Sequence, residues 1–89
     1  MLYMLINRTR TDLTPAQFAE LGQLAQGFYD RIPAGLQLHA DWAANDSSRT
    51  FALIETDDPA LLEAIQAPFR GYVDIEVVPV TPVKGWLKR

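Results

Sequence analysis

Three observations predict an α+β domain: four segments carry strand-like hydrophobic patterns, two carry a proline-marked helix start and an apolar stripe, and they alternate in the order β-α-β-β-α-β. With right-handed crossovers, that order places two helices on one face of a four-stranded antiparallel sheet, which is the ferredoxin-like arrangement.

The first strand is Leu2-Tyr3-Met4-Leu5-Ile6-Asn7, apolar at both parities, as expected of a central strand covered on both faces. Thr14-Pro15-Ala16-Gln17 then supplies an N-cap, a proline in the first turn and a glutamine placed to close a capping box. Phe18, Leu21, Ala25, Phe28 and Ile32 follow at helical spacing, widened by Leu24 and Tyr29, until Pro33-Ala34-Gly35 ends the helix. From Leu36 the period changes to two, with Leu38, Ala40 and Trp42 alternating against Gln37, His39 and Asp41. Asn45-Asp46-Ser47-Ser48 is a tight connection to Arg49–Glu55, so the second and third strands form a hairpin. Asp58-Pro59 repeats the helix start, and Leu61, Leu62 and Ile65 mark a short amphipathic helix that stops before Pro68. Val73 to Val78 is the fourth strand, after which Pro79 and Pro82 restrict pairing.

The chain has 89 residues, 48% of them hydrophobic and 21% charged, which excludes a disordered tail and leaves room for one domain. That domain spans residues 1–80, followed by a basic tail over 81–89 with Lys84, Lys88 and Arg89. The tail hides the charge of the body, because residues 1–83 hold five positive against eleven negative side chains, a net −6. Nucleic acid and anionic membrane surfaces are therefore not expected partners. Without cysteine there is neither a disulfide staple nor a thiolate metal site, and without a signal or membrane-spanning segment the expected location is the cytoplasm. A chain this short has a marginal core of its own.

Two helices cover one face, so the other decides how the protein is used. Assigning Leu2, Met4, Ile6, Trp42, Ala52 and Ile54 to the helix side leaves Tyr3, Leu5, Asn7, Phe51 and Leu53 at the centre of the open face. His39, Asp41, Asp74 and Glu76 then lie at its rim. An apolar centre with a polar rim predicts a homodimer through the open sheet face, with a cleft between the sheets. Stacking of Tyr3 and Phe51 on RNA bases is the competing use. Thr50 stands where an RNA recognition motif has glycine, Leu53 where it has a second aromatic, and the acidic body repels phosphate.

The segments Met1-Leu2-Tyr3-Met4, Glu55-Thr56-Asp57-Asp58-Pro59-Ala60-Leu61-Leu62 and Val73-Asp74-Ile75-Glu76-Val77-Val78-Pro79-Val80 resemble a family of small bacterial proteins. That family is classed as a domain of unknown function within the dimeric α+β barrel superfamily. Tyr72-Val73-Asp74-Ile75-Glu76-Val77 also resembles the last strand of muconolactone isomerase, a cofactor-independent enzyme of the superfamily. The resemblance implies a dimer with a cleft, and the superfamily's varied chemistries leave the reaction open.

The sole histidine, His39, shares its predicted face with Asp41 two residues on, so a carboxylate is placed to orient an imidazole. His39, Asp41 and Glu55 are the catalytic candidates, and an exposed polar pair on an edge strand is the plain structural alternative. Tyr3, Leu5, Asn7, Phe51 and Leu53 are the ligand-binding candidates, against a purely interfacial role. Gly22 and Gly27 have phosphate-loop spacing, but Phe28-Tyr29 follow in place of Lys and Ser/Thr. No metal and no cofactor are expected. The function read from the sequence is binding of a small apolar or aromatic molecule in the inter-sheet cleft. The alternatives are a cofactor-independent isomerase or monooxygenase, and an accessory interaction module without catalysis.

Overall fold

A computed structural model describes residues 1–84. Its elements run β1 (Leu2–Thr9), α1 (Pro15–Asp30), β2 (Leu36–Ala43), β3 (Arg49–Thr56), α2 (Pro59–Gln66), a 3-10 turn (Ala67–Phe69) and β4 (Val73–Val80). The strands form one antiparallel sheet in the order β2-β3-β1-β4, so β1 and β3 are central as the sequence predicts. Of the predicted basic tail, residues 85–89 lie outside the described residues.

The helix starts form as read. Thr14 Oγ1 accepts from the Gln17 amide at 3.2 Å while Gln17 Oε1 accepts from the Thr14 amide at 2.8 Å, which closes the capping box. Asp58 Oδ1 accepts from the Ala60 amide at 2.9 Å to cap α2. Between α1 and β2, Gly35 adopts φ of 88°, a left-handed conformation that costs glycine no Cβ clash. The buried Thr56 hydroxyl donates to the Gly35 carbonyl at 2.8 Å and accepts from the Asp58 amide at 3.1 Å, tying this turn to the start of α2. β4 continues through Pro79 to Val80, two residues past its predicted end. An edge strand tolerates proline, because its outward-facing backbone groups have no ladder partner to lose.

The core is Leu5, Leu36, Ile54 and Leu62, with Phe28, Leu38, Ala52, Ile65, Ile75 and Val77 packed against it. Its composition corrects the predicted faces. Leu5 pairs with Ala52 and Val77, Tyr3 with Ile54, and Asn7 with Thr50 and Ile75. Directly opposite residues share a face, so Tyr3, Leu5 and Asn7 point toward the helices and Leu2, Met4 and Ile6 lie on the open face. A strand apolar at both parities carries no alternation to fix its own orientation.

β2 supplies the second correction. The register shifts between Leu38 and Ala40, leaving His39 as the extra residue of a bulge. Beyond it Asp41 pairs with Ala52 on the helix side, while Trp42 pairs with Phe51 on the open face, 53% exposed instead of in the core. One inserted residue has exchanged the faces of every side chain after it.

Candidate functional site

The bulge separates the two polar residues that alternation would have kept together. His39 Nε2 meets Glu55 Oε1 at 2.7 Å on the open face, both side chains remaining partly in solvent. Asp41 instead turns to the helix-covered face at the sheet edge, where its exposed carboxylate Oδ2 accepts a hydrogen bond from the Tyr29 hydroxyl. That bond, with burial and the carboxylate charge adding to it, pushes the Tyr29 pKa up to about 12. Of the catalytic candidates, His39 and Glu55 therefore come together and Asp41 stands apart from both.

The ligand-binding candidates divide as well. Phe51 and Leu53 are half-buried on the open face, where the Arg49 guanidinium sits 5.8 Å from the Phe51 ring centre, within cation–π range. Tyr3 packs against the core cluster, while Leu5 and Asn7 line a cleft of about 570 Å³ between α1 and the sheet. Small side chains make this space. Gly22 and Ala25 of α1 line it along with Asn7, Thr50 and Ala52 of the sheet, and a Cβ built on Gly22 would meet nothing within 4 Å. No α1 residue is buried, and Phe18 and Tyr29 on its apolar stripe stay 52% and 50% exposed. α1 thus roofs a space that it does not fill.

The lining is apolar with a few polar groups. Asn7 Nδ2 donates to Thr50 Oγ1 at 3.1 Å, and Tyr29 with Asp41 forms a second polar pair. Gln66, only 7% exposed, anchors its amide nitrogen on the Leu62 carbonyl at 2.9 Å. A larger groove of about 680 Å³ runs outside, between α1 and the 3-10 turn, where the Tyr72 hydroxyl donates to Glu20 Oε2 at 2.6 Å. That bond raises the Tyr72 pKa. The cleft under α1 is the better candidate because the buried Leu5, Ile54, Val73 and Gln66 all line it. Among the described residues no three His, Asp or Glu side chains converge as metal ligands.

A family model described as a domain of unknown function, DUF3303, matches residues 1–88. The chain belongs to the DUF3303 family. No curated protein sequence matches it. SCO4226 from Streptomyces coelicolor A3(2) is structurally similar, with a TM-score of 0.51 and 18% identity over 92% of this chain and 100% of its own. A solved antibiotic biosynthesis monooxygenase gives 0.56 and 11% identity over 92% of this chain and 100% of its own. Rv0793 from Mycobacterium tuberculosis gives 0.54 and 12% over 92% and 97%. At these identities the likeness is one of fold, and it agrees with the predicted ferredoxin-like class. Among the described residues of this DUF3303 chain, no helix is long and apolar enough to cross a membrane.

Sequence reasoning missed the Tyr29–Asp41 pair and the cleft it borders. Tyr29 reads as a widening of the α1 stripe, and nothing in Leu38-His39-Ala40 signals a bulge, since period-two alternation runs straight through it. The glycine and alanine opposite small sheet residues were the available sign that α1 stands off the sheet.

Proposed function

We propose that this DUF3303 chain works as a homodimer in which each subunit holds a small apolar or aromatic molecule in the cleft beneath α1. One observation carries the reading: about 570 Å³ of space bounded by core residues and by the polar groups of Asn7, Thr50, Asp41 and Gln66. Apolar walls with few convergent polar groups are the common character of small-molecule sites. The inter-sheet position expected from the sequence gives way to this one, because Leu5 and Asn7 belong to the helix-covered face. The homodimer rests on the open face, where Met4, Ile6, Phe51, Leu53 and Val78 adjoin by register and a second sheet would remove them from water.

The test is an amide chemical-shift titration with naphthol. Saturable shifts at Asn7, Gly22, Thr50 and Gln66 support the reading, and Gly22→Leu, which fills the cleft, abolishes them while the protein stays folded. Undiminished affinity in Gly22→Leu overturns it. Leu53→Glu places a charge on the open face and yields a monomer by sedimentation if the sheets pair there. An unchanged sedimentation coefficient counts against that pairing.

A second reading, a cofactor-independent isomerase or monooxygenase, is favoured by the His39–Glu55 contact of 2.7 Å, a carboxylate-oriented imidazole suited to proton transfer. The fold-level likeness to a solved antibiotic biosynthesis monooxygenase supports it. Proton transfer predicts that His39→Gln stops protein-catalysed deuterium exchange at the acidic C–H of an aryl ketone. Exchange at the parent rate removes this reading.

A further inference from the structure

We infer that the cleft beneath α1 selects for charge, taking an aromatic molecule that carries an ammonium group and rejecting its carboxylate counterpart. The inference deepens the small-molecule reading above and rests on it. Among the described residues lining the cleft, Asp41 alone carries a charge, and no Lys, Arg or His is among them. An organic anion entering this space would lose water and gain no cationic partner, which is among the costlier forms of burial. A cation has somewhere to go. The Tyr29 hydroxyl occupies Oδ2 of Asp41, and a carboxylate has lone pairs for further donors on both oxygens. With its pKa pushed up to about 12, Tyr29 remains a donor and adds no second negative charge.

The surroundings favour the same ligand. Phe18, Phe28 and Tyr29 line the α1 side, and the rings of Phe28 and Tyr29 stand edge to face with centres 5.7 Å apart. Aromatic faces attract ammonium groups and pack equally well on an aromatic body. The Asn7–Thr50 and Gln66 groups are neutral, so they orient a ligand without altering the charge preference. The net charge of −3 draws cations at longer range, and the Asp41 carboxylate, exposed on the edge strand β2, meets them at the edge of the cleft.

The experiment measures the affinities of three probes of one shape: naphthylmethylammonium, naphthylmethanol and naphthoate, by amide chemical-shift titration of the full chain at neutral pH. The ammonium should bind about tenfold or more tighter than the alcohol, the scale of one charge-assisted hydrogen bond, and naphthoate should bind most weakly. In Asp41→Asn the ammonium should lose its advantage and bind no tighter than the alcohol does to the same variant, with a dispersed amide spectrum certifying that the variant is folded. Asp74→Asn removes the same charge from the opposite face of the sheet and should leave the order intact. Equal affinities for ammonium and naphthoate, or an order that survives Asp41→Asn, overturn the inference and leave the cleft standing. If none of the three probes binds, the cleft reading fails and the inference falls with it.

Discussion

Replacing Asp41 with Asn should lower the pKa of a tyrosine twelve residues earlier in the chain and loosen the helix that carries it. Tyr29 moves from 10.0 to about 12, and its largest cause is the hydrogen bond to Asp41. At 1.36 kcal/mol per unit the full shift would be worth about 2.7 kcal/mol, but Tyr29 is 50% exposed, and solvent screening reduces the effect to about 1 kcal/mol. The protonated tyrosine is the favoured form in the folded state. The stabilisation is therefore fully present below pH 10 and is lost as the pH climbs through about 12. Tyrosinate absorbance followed against pH reads the shift directly. With Tyr29 released toward its ordinary 10.0, Asp41→Asn should carry about half a tyrosinate more than the parent at pH 10, while the Tyr72–Glu20 bond on the outer groove holds Tyr72 up in both proteins. Urea unfolding at neutral pH should show Tyr29→Phe and Asp41→Asn each losing about 1 kcal/mol, with the double variant losing little more. Superposable absorbance titrations, or fully additive losses, would refute a coupled pair.

Three further outcomes test the fold. Ile54 is 1% exposed at the centre of β3, so Ile54→Ala should cost about 2–5 kcal/mol by urea unfolding, and a loss below about 1 kcal/mol would contradict its place in the core. At Gly35, a φ of 88° and a built Cβ 3.1 Å from Leu61 Cδ1 make Gly35→Ala destabilising by about 1–2 kcal/mol; an unchanged thermal midpoint would deny the left-handed turn. Thr14→Ala removes half of the α1 capping box and should cost about 1 kcal/mol, most of it recovered by Thr14→Ser, whereas equal losses in both variants would assign the effect to something other than the cap.

Reading along the chain located each element, since caps, prolines and changes of period are local signals. Thr14-Pro15 and Asp58-Pro59 start the two helices where expected, and Asn45–Ser48 turns the hairpin with the Asp46 carboxylate accepting from the Ser48 amide at 2.9 Å. The candidate site was legible only in fragments. His39 and Glu55 were both singled out and do meet, but the partner expected for His39 was Asp41. Phe51 and Leu53 lie on the open face as predicted, Leu5 and Asn7 lie on the helix-covered face, and Phe51 joins Leu5 and Asn7 among the residues lining the α1 cleft.

The sequence by itself determined the β-α-β-β-α-β order, the central place of β1 and β3, and the acidic character of residues 1–83, all of which depend on local pattern and composition. Only the tertiary structure decided which way β1 faces and where Asp41 points. β1 is apolar on both sides, so its orientation comes from pairing with β3 and β4, many residues away. The bulge at His39 is likewise a property of the β2–β3 pairing. Because side chains alternate every residue along a strand, that single displacement carried Asp41 from the open face to the helix-covered face at the edge of the α1 cleft, where it is the one charge among the described lining residues.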